Sequence, residues 1–157
     1  MSKLEEVVKD LMESIDEEYN AIEVFSKSKT TVVEKQIQKL RETATTLLPV
    51  MNKILEEKYY FRGENTKYRS SKGPILKEDY SNQVLYVFSV ARKIPISINL
   101  YDDEVTNLSY RKLLSEVDFS TAMEGLLSVL NHHKFLMKEI QEDIDHLENE
   151  LLKYEQY

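Results

Sequence analysis

The sequence predicts a mainly α protein, built as an antiparallel helical bundle or coiled coil with a small α/β insertion in its middle. Apolar residues recur in alternating steps of four and three residues at both ends of the chain, and only three Gly and three Pro occur in 157 residues. The middle loses this period. We therefore divide the chain into an amino-terminal helical pair (1–57), a middle insertion with a basic aromatic loop, a helix and a short strand (58–117), and a long carboxy-terminal coiled-coil helix (118–157).

The chain is acidic and contains no cysteine. Charged residues make up 31% of the sequence and the net charge is -7, which disfavours general attraction to nucleic acid or anionic membranes. The longest run without a charged side chain, residues 80–91, is shorter than the roughly 20 residues that span a bilayer. Disulfides and thiolate chemistry are excluded. We expect no membrane segment and a cytoplasmic or nuclear protein.

Two helices are predicted before residue 57. The broad apolar stripe from Leu4 to Phe25 indicates a first helix over about 3–25, and the polar run 26–31 then indicates a turn. Thr31 and Glu34 have capping-box spacing, so a second helix is expected from there to Ile54. Pro49, within this second helix, predicts a kink at about residues 45–48.

Residues 58–73 show no helical period and predict a loop or irregular hairpin that turns near residues 63–65. The loop combines aromatic rings with a net charge of five bases minus one acid, +4, a combination that single-stranded nucleic acid binding uses for phosphate contact and base stacking. The alternatives are an ordinary connection whose aromatics dock on the domain, and a basic patch that meets an acidic protein surface. The candidate contacts are Lys58, Tyr59, Tyr60, Arg62, Lys67, Tyr68, Arg69 and Lys72.

The rest of the insertion predicts mixed structure. Pro74 fits a first helical position, and the spacing of apolar residues over 80–94 favours a helix, with a strand through Val84–Val90 as the alternative. Alternation over 96–100 predicts one short strand, which would pair with residues 59–62 or with another chain. A short helical segment is expected over 108–117.

The carboxy-terminal stretch from Phe119 to Tyr154 keeps the four-three steps, with His133 at the one seam position that is not a large apolar residue, and predicts one uninterrupted helix capped by Asp118 or Ser120. At about 1.5 Å per residue it would be about 54 Å long. Its early flanking positions are apolar and its late ones acidic, so the early half suits a bundle and the late half a coiled coil.

These acidic flanks bear on the choice of partner. A parallel homodimer would set Asp143 against Glu148 and Glu150 against Glu155, and an antiparallel one would also oppose acid to acid. We therefore expect a hetero-oligomer rather than a homodimer, although the seam has the alternative of packing on helices of its own chain. The predicted partner-binding residues are Ile140, Ile144, Leu147, Leu151, Tyr154, Asp143, Glu148 and Glu150.

Catalytic and metal-binding patterns are weak. Asp143 and His146 share a helical face, as in half of a carboxylate-bridged metal site, but the second Glu-x-x-His is missing. Gly63, Gly73 and Gly125 are too scattered for a phosphate-binding loop. We predict no enzyme, no metal and no cofactor.

The resulting functional hypothesis is a non-enzymatic coiled-coil interaction module, an adaptor or scaffold subunit of a larger assembly that holds a protein partner through helical seams. The alternatives are a nucleic-acid-associated accessory factor that uses the basic aromatic loop, and a small inhibitor that binds a host protein.

Overall fold

The structure, a computed structural model, describes residues 2–63 and 66–157. Within that part of the chain, a four-stranded antiparallel sheet is preceded and followed in the sequence by helices, so the mainly α fold with a small insertion is confirmed in outline. The chain divides into two compact units, one up to Gln38 and one from Lys39 onward. The elements in order are α1 (Lys3–Glu56), β1 (Ile75–Asp79), β2 (Val84–Ser89), β3 (Ile94–Asn99), β4 (Val105–Asn107), α2 (Tyr110–Glu116), α3 (Phe119–Leu127), a 3₁₀ turn (Ser128–Asn131) and α4 (His132–Tyr154).

The turn predicted at residues 26–31 is wrong, because α1 runs straight through it. The Thr30 and Thr31 hydroxyls donate to the carbonyls four residues back, at 3.0 and 3.1 Å, so the polar run is accommodated inside the helix. Thr31 thus serves no helix start, and the predicted capping box is wrong as well. Pro49 also lies inside α1, which continues to Glu56; the kink stays a prediction.

The helix predicted from Pro74 and over 80–94 is wrong, since this region forms β1 and β2. The strands pair antiparallel in the order β1-β2-β3-β4, with Leu85 opposite Ile98 and Val87 opposite Ile96. Five of the six β2 residues are buried. A strand covered on both faces reads as a continuous apolar run without alternation, which is why the pattern resembled a helix.

The strand predicted over 96–100 is confirmed in β3, but its predicted pairing with residues 59–62 is wrong. β3 pairs with β2 and β4 instead. The short helical segment expected over 108–117 is confirmed as α2, and the Ser109 hydroxyl caps it by accepting from the Lys112 amide at 3.0 Å.

The predicted uninterrupted carboxy-terminal helix is wrong, because the 3₁₀ turn Ser128–Asn131 separates α3 from α4. A 3₁₀ turn has about three residues per turn, and it brings Val129 and His132 into the buried set with Ala122 and Leu126. The predicted seam position Leu130 is left exposed. Asp118 occupies the N-cap position of α3 without a side-chain capping bond.

The core of the second unit joins the end of α1, the sheet and the short helices. Its buried apolar residues are Leu40, Ala44, Leu47, Met51, Ile54, Leu85, Val87, Phe88, Ile96, Leu113, Val117, Ala122, Leu126 and Val129. Gly125 brings α3 very close to β1, because a Cβ there would lie 2.6 Å from the Ile75 carbonyl oxygen and 2.8 Å from the Leu76 Cα. This contact fixes α3, and with it the start of α4, on the sheet edge.

Candidate partner-binding site

The predicted carboxy-terminal seam lies on α4 and is solvent-exposed. Ile140, Ile144, Leu147, Leu151 and Tyr154 are between 41% and 64% exposed. Single exposed apolar residues are ordinary on a protein surface, whereas large contiguous apolar patches are uncommon on soluble monomers. We call these five residues the α4 seam.

Acidic residues border the α4 seam. Asp143, Glu148 and Glu150 are exposed, and Glu150 lies 2.9 Å from the Nε2 of His146, one turn earlier. His146 therefore meets Glu150 rather than Asp143. Across the described ranges 2–63 and 66–157, no three His, Asp or Glu side chains converge in a way that would hold a metal ion.

A second exposed apolar row runs along the first unit, within α1. Its large side chains are between 45% and 73% exposed, and they are Leu4, Val7, Val8, Leu11, Met12, Tyr19, Ile22 and Phe25. This is the broad stripe predicted for the first helix, and we call it the α1 face. A stripe of this width suits packing in a multi-helix bundle.

The basic aromatic loop is fastened to the sheet. Phe61 and Ser70 exchange two backbone hydrogen bonds, of 2.8 and 2.9 Å, so the loop is an irregular hairpin. The turn was predicted at residues 63–65, of which 64 and 65 lie outside the described part of the chain. The backbone amides of Lys67 and Tyr68 donate to the Glu78 carboxylate on β1 at 2.8–3.1 Å. The Tyr68 ring stacks on Tyr80.

The two arginines of the loop point to α4. Arg62 and Arg69 both donate to the same Glu139 oxygen, at 2.9 and 2.5 Å. A carboxylate that accepts from two guanidinium groups neutralises part of the loop's positive charge. Lys58, Lys67 and Lys72 remain exposed.

These contacts bring the two sequence-predicted sites together. A cavity of about 240 Å³ is lined from the loop side by Tyr59, Tyr60, Arg62 and Arg69, and from the α4 side by Ile140 and Asp143. The sequence treats these residues as two separate candidates, whereas the structure places them around one hollow. We call it the loop–α4 pocket.

His132, Phe135, Leu136 and Glu139 complete the pocket wall and were not predicted as site residues. His132 is only 6% exposed, and its Nε2 has no hydrogen-bond partner among the described residues. The rings of Tyr59, Phe61 and His133 surround it, with centroids 5.6–6.3 Å away. Burial, helped by the neighbouring His133, lowers the pKa of His132, so its imidazole is uncharged at neutral pH.

None of the described helices is both long and apolar enough to cross a membrane. Comparisons of the chain with protein-family models, with curated proteins and with solved structures found no match.

Proposed function

We propose that this protein is a non-enzymatic interaction module, an adaptor or scaffold subunit of a hetero-oligomeric assembly. Its α4 seam pairs with a helix of a different protein, and the α1 face adds a second contact. The observation that carries the proposal is the exposure of the α4 seam, whose five large apolar side chains stand at coiled-coil spacing in contact with solvent.

The energetics favour the use of both surfaces. Burying the half-exposed side chains of the α4 seam would contribute about 4–8 kcal/mol, if each supplies about half of the 1.5–3 kcal/mol of a fully buried side chain. Association costs about 4–15 kcal/mol in lost freedom. The α4 seam alone therefore supports a weak complex, and a stable one needs further apolar contacts.

Charge favours a different partner over a second copy. Four residues of the α1 face, together with the half-buried Ile15, form a continuous four-three ladder, which consists of Val8, Met12, Ile15, Tyr19 and Ile22. A parallel pairing of two copies on this ladder would set Glu18 against Glu23, as the α4 seam would set Asp143 against Glu148. Rim charges contribute only a few tenths of a kcal/mol each, so they select among partners. A helix with Lys or Arg at its rims suits the charge of each surface, taken separately.

The test is capture of interacting proteins by the full-length chain and by two variants that carry equal charge. Ile144→Glu/Leu151→Glu places two acids in the α4 seam, whereas Lys138→Gln/Asn149→Glu makes the net charge more negative by the same two units at exposed positions away from the seam and its rims. We expect the seam variant to lose its specific partner and the control to keep it. Light scattering at two protein concentrations accompanies the capture, and a stable homodimer cross-linked through residues 140–154 would contradict the proposal.

The nucleic-acid alternative rests on the exposed Lys58, Lys67 and Lys72 beside Tyr59 and Tyr60, which are 44% and 56% exposed. Retention on single-stranded DNA that falls with salt, and that disappears in Lys67→Ala/Arg69→Ala/Lys72→Ala, would favour it. We expect no such retention, because Glu139 engages both arginines of the loop.

A further inference from the structure

We propose that the loop–α4 pocket receives one aromatic side chain of the partner helix that lies on the α4 seam. This inference rests on the proposed function and adds to it the chemistry by which the partner is recognised.

The size of the pocket favours a single side chain. Its volume is about 240 Å³, below the roughly 300–1,000 Å³ of sites that hold small molecules or cofactors. Protein interfaces commonly concentrate their affinity in one or two aromatic anchors that fill such hollows. The pocket therefore has the dimensions of an anchor site.

The walls of the pocket favour a neutral aromatic ring. Four of the residues that line it are aromatic, namely Tyr59, Tyr60, His132 and Phe135, and aromatic pairs add about 0.5–1.5 kcal/mol beyond the area they bury. Arg69 adds a half-exposed guanidinium group that can stack on a ring.

The charges around the pocket cancel. Arg62 and Arg69 carry +2, Glu139 and Asp143 carry -2, and His132 is uncharged at neutral pH. The net charge of zero gives the pocket no overall preference for a cationic or an anionic occupant. A neutral ring avoids the cost of burying a charge.

The pocket is continuous with the α4 seam. Ile140 is both the first seam residue and part of the pocket wall, and Asp143 is both a rim acid and a pocket residue. A helix that covers Ile144 and Ile140 therefore reaches the pocket with its next inward-facing residue. Seam and pocket together define the partner motif as an amphipathic helix with basic rims and an aromatic residue at one end of its apolar row.

Synthetic three-heptad peptides test this motif on the full-length protein. All have Leu and Ile in the seam and Lys at both rims. One has Ala at both terminal seam positions, and two others have Trp at either the first or the last of them, because the orientation of the partner helix is to be determined. Affinities are measured by fluorescence anisotropy. We expect one Trp peptide to bind at least tenfold more tightly than the Ala peptide.

Two matched protein variants test whether the Trp side chain of the peptide occupies the loop–α4 pocket. Tyr60→Ala/Arg69→Ala removes two exposed pocket residues but keeps the contact of Arg62 with Glu139, and it should reduce the Trp advantage to less than threefold. Tyr101→Ala, at a tyrosine that is 83% exposed and does not line the pocket, should retain it. Circular dichroism confirms that each variant is folded.

The outcomes separate the two proposals. Equal binding of the Trp and Ala peptides, or a Trp advantage that survives in Tyr60→Ala/Arg69→Ala, would refute the proposal that the pocket receives an aromatic side chain. Either result would leave the proposal for the α4 seam intact. Failure of every peptide to bind would overturn both.

Discussion

Gly125 is the residue at which one added methyl group should have the largest structural effect. The Cβ of an alanine at this position would lie 2.6 Å from the Ile75 carbonyl oxygen and 2.8 Å from the Leu76 Cα. Favourable contacts of carbon atoms begin at about 3.5 Å, so α3 and β1 must separate by close to 1 Å. Both neighbouring atoms belong to the backbone, and a side-chain rotation cannot relieve the contact.

The magnitude follows from two opposing terms. Overpacking of this kind costs about 1–3 kcal/mol, whereas alanine in a helix gains about 0.5–1 kcal/mol over glycine. We expect Gly125→Ala to lower the free energy of unfolding of the second unit by about 1–2 kcal/mol. At the size of this unit, that change lowers the melting temperature by about 3–8 °C.

The assay is urea unfolding followed by circular dichroism, supported by thermal scans. Ser120→Ala is the matched control, because Ser120 is exposed on the same helix and its change should stay within about 0.5 kcal/mol. If Gly125→Ala proves as stable as Ser120→Ala, the close approach of α3 to β1 is not a constraint and the reasoning is refuted.

Three further variants test contacts in the second unit. The lowered pKa of buried His132 means that below about pH 6.5 the unfolded chain takes up a proton that the folded chain does not, so we expect the wild type to lose stability as the pH falls. His132→Phe should remove this loss. Urea midpoints at pH 5.5 and 7.5 measure the effect, and the same difference between the two midpoints in the variant as in the wild type would contradict it. Tyr86→Phe should cost about 0.5–1.5 kcal/mol, because the Tyr86 hydroxyl donates to Glu116 at 2.9 Å. Burial, together with this interaction, raises the pKa of Tyr86 to about 12. A loss of similar size in a Glu116→Ala background, where no acceptor is left at position 116, would show that the bond contributes nothing. Glu139→Gln should destabilise the loop by about 1 kcal/mol, because Glu139 holds both loop arginines. The backbone amides of the loop should then exchange faster in hydrogen-exchange mass spectrometry. Unaltered exchange over residues 66–70 would count against this.

The helical periods of the sequence predicted the surfaces better than they predicted the turns. The α4 seam and the α1 face follow directly from the spacing of apolar residues, because a helix repeats every 3.6 residues regardless of what covers it. The polar run 26–31 was misread because threonine hydroxyls that bond to the preceding turn have no signature in composition.

The sheet was hidden by its connections. Gln83, Lys93 and Asp103 occupy the left-handed region at the three hairpins, with φ of 54°, 60° and 59°, where the usual hairpin signal is glycine or asparagine. Without that signal, β1 and β2 resembled one helical segment. The short β3, which alternates cleanly, was recognised.

The loop–α4 pocket was beyond the reach of sequence patterns for a different reason. Arg62 and Arg69 meet Glu139 across 77 and 70 residues of chain. Pairing over such separations depends on the sheet order and on the 3₁₀ turn, and neither was predicted from the sequence. The two candidate sites were each visible, but their convergence on one hollow required the fold.

The exposed α1 face and α4 seam also have a consequence inside a cell. If the protein has the proposed function, a copy made in excess of its partner would display large apolar side chains that chaperones and proteases recognise, and its uncovered helices would open readily for cleavage. We therefore expect the abundance of the protein to follow that of its partner, with surplus chains degraded. Subunit stoichiometry would then be set by the turnover of unassembled copies rather than by matched synthesis.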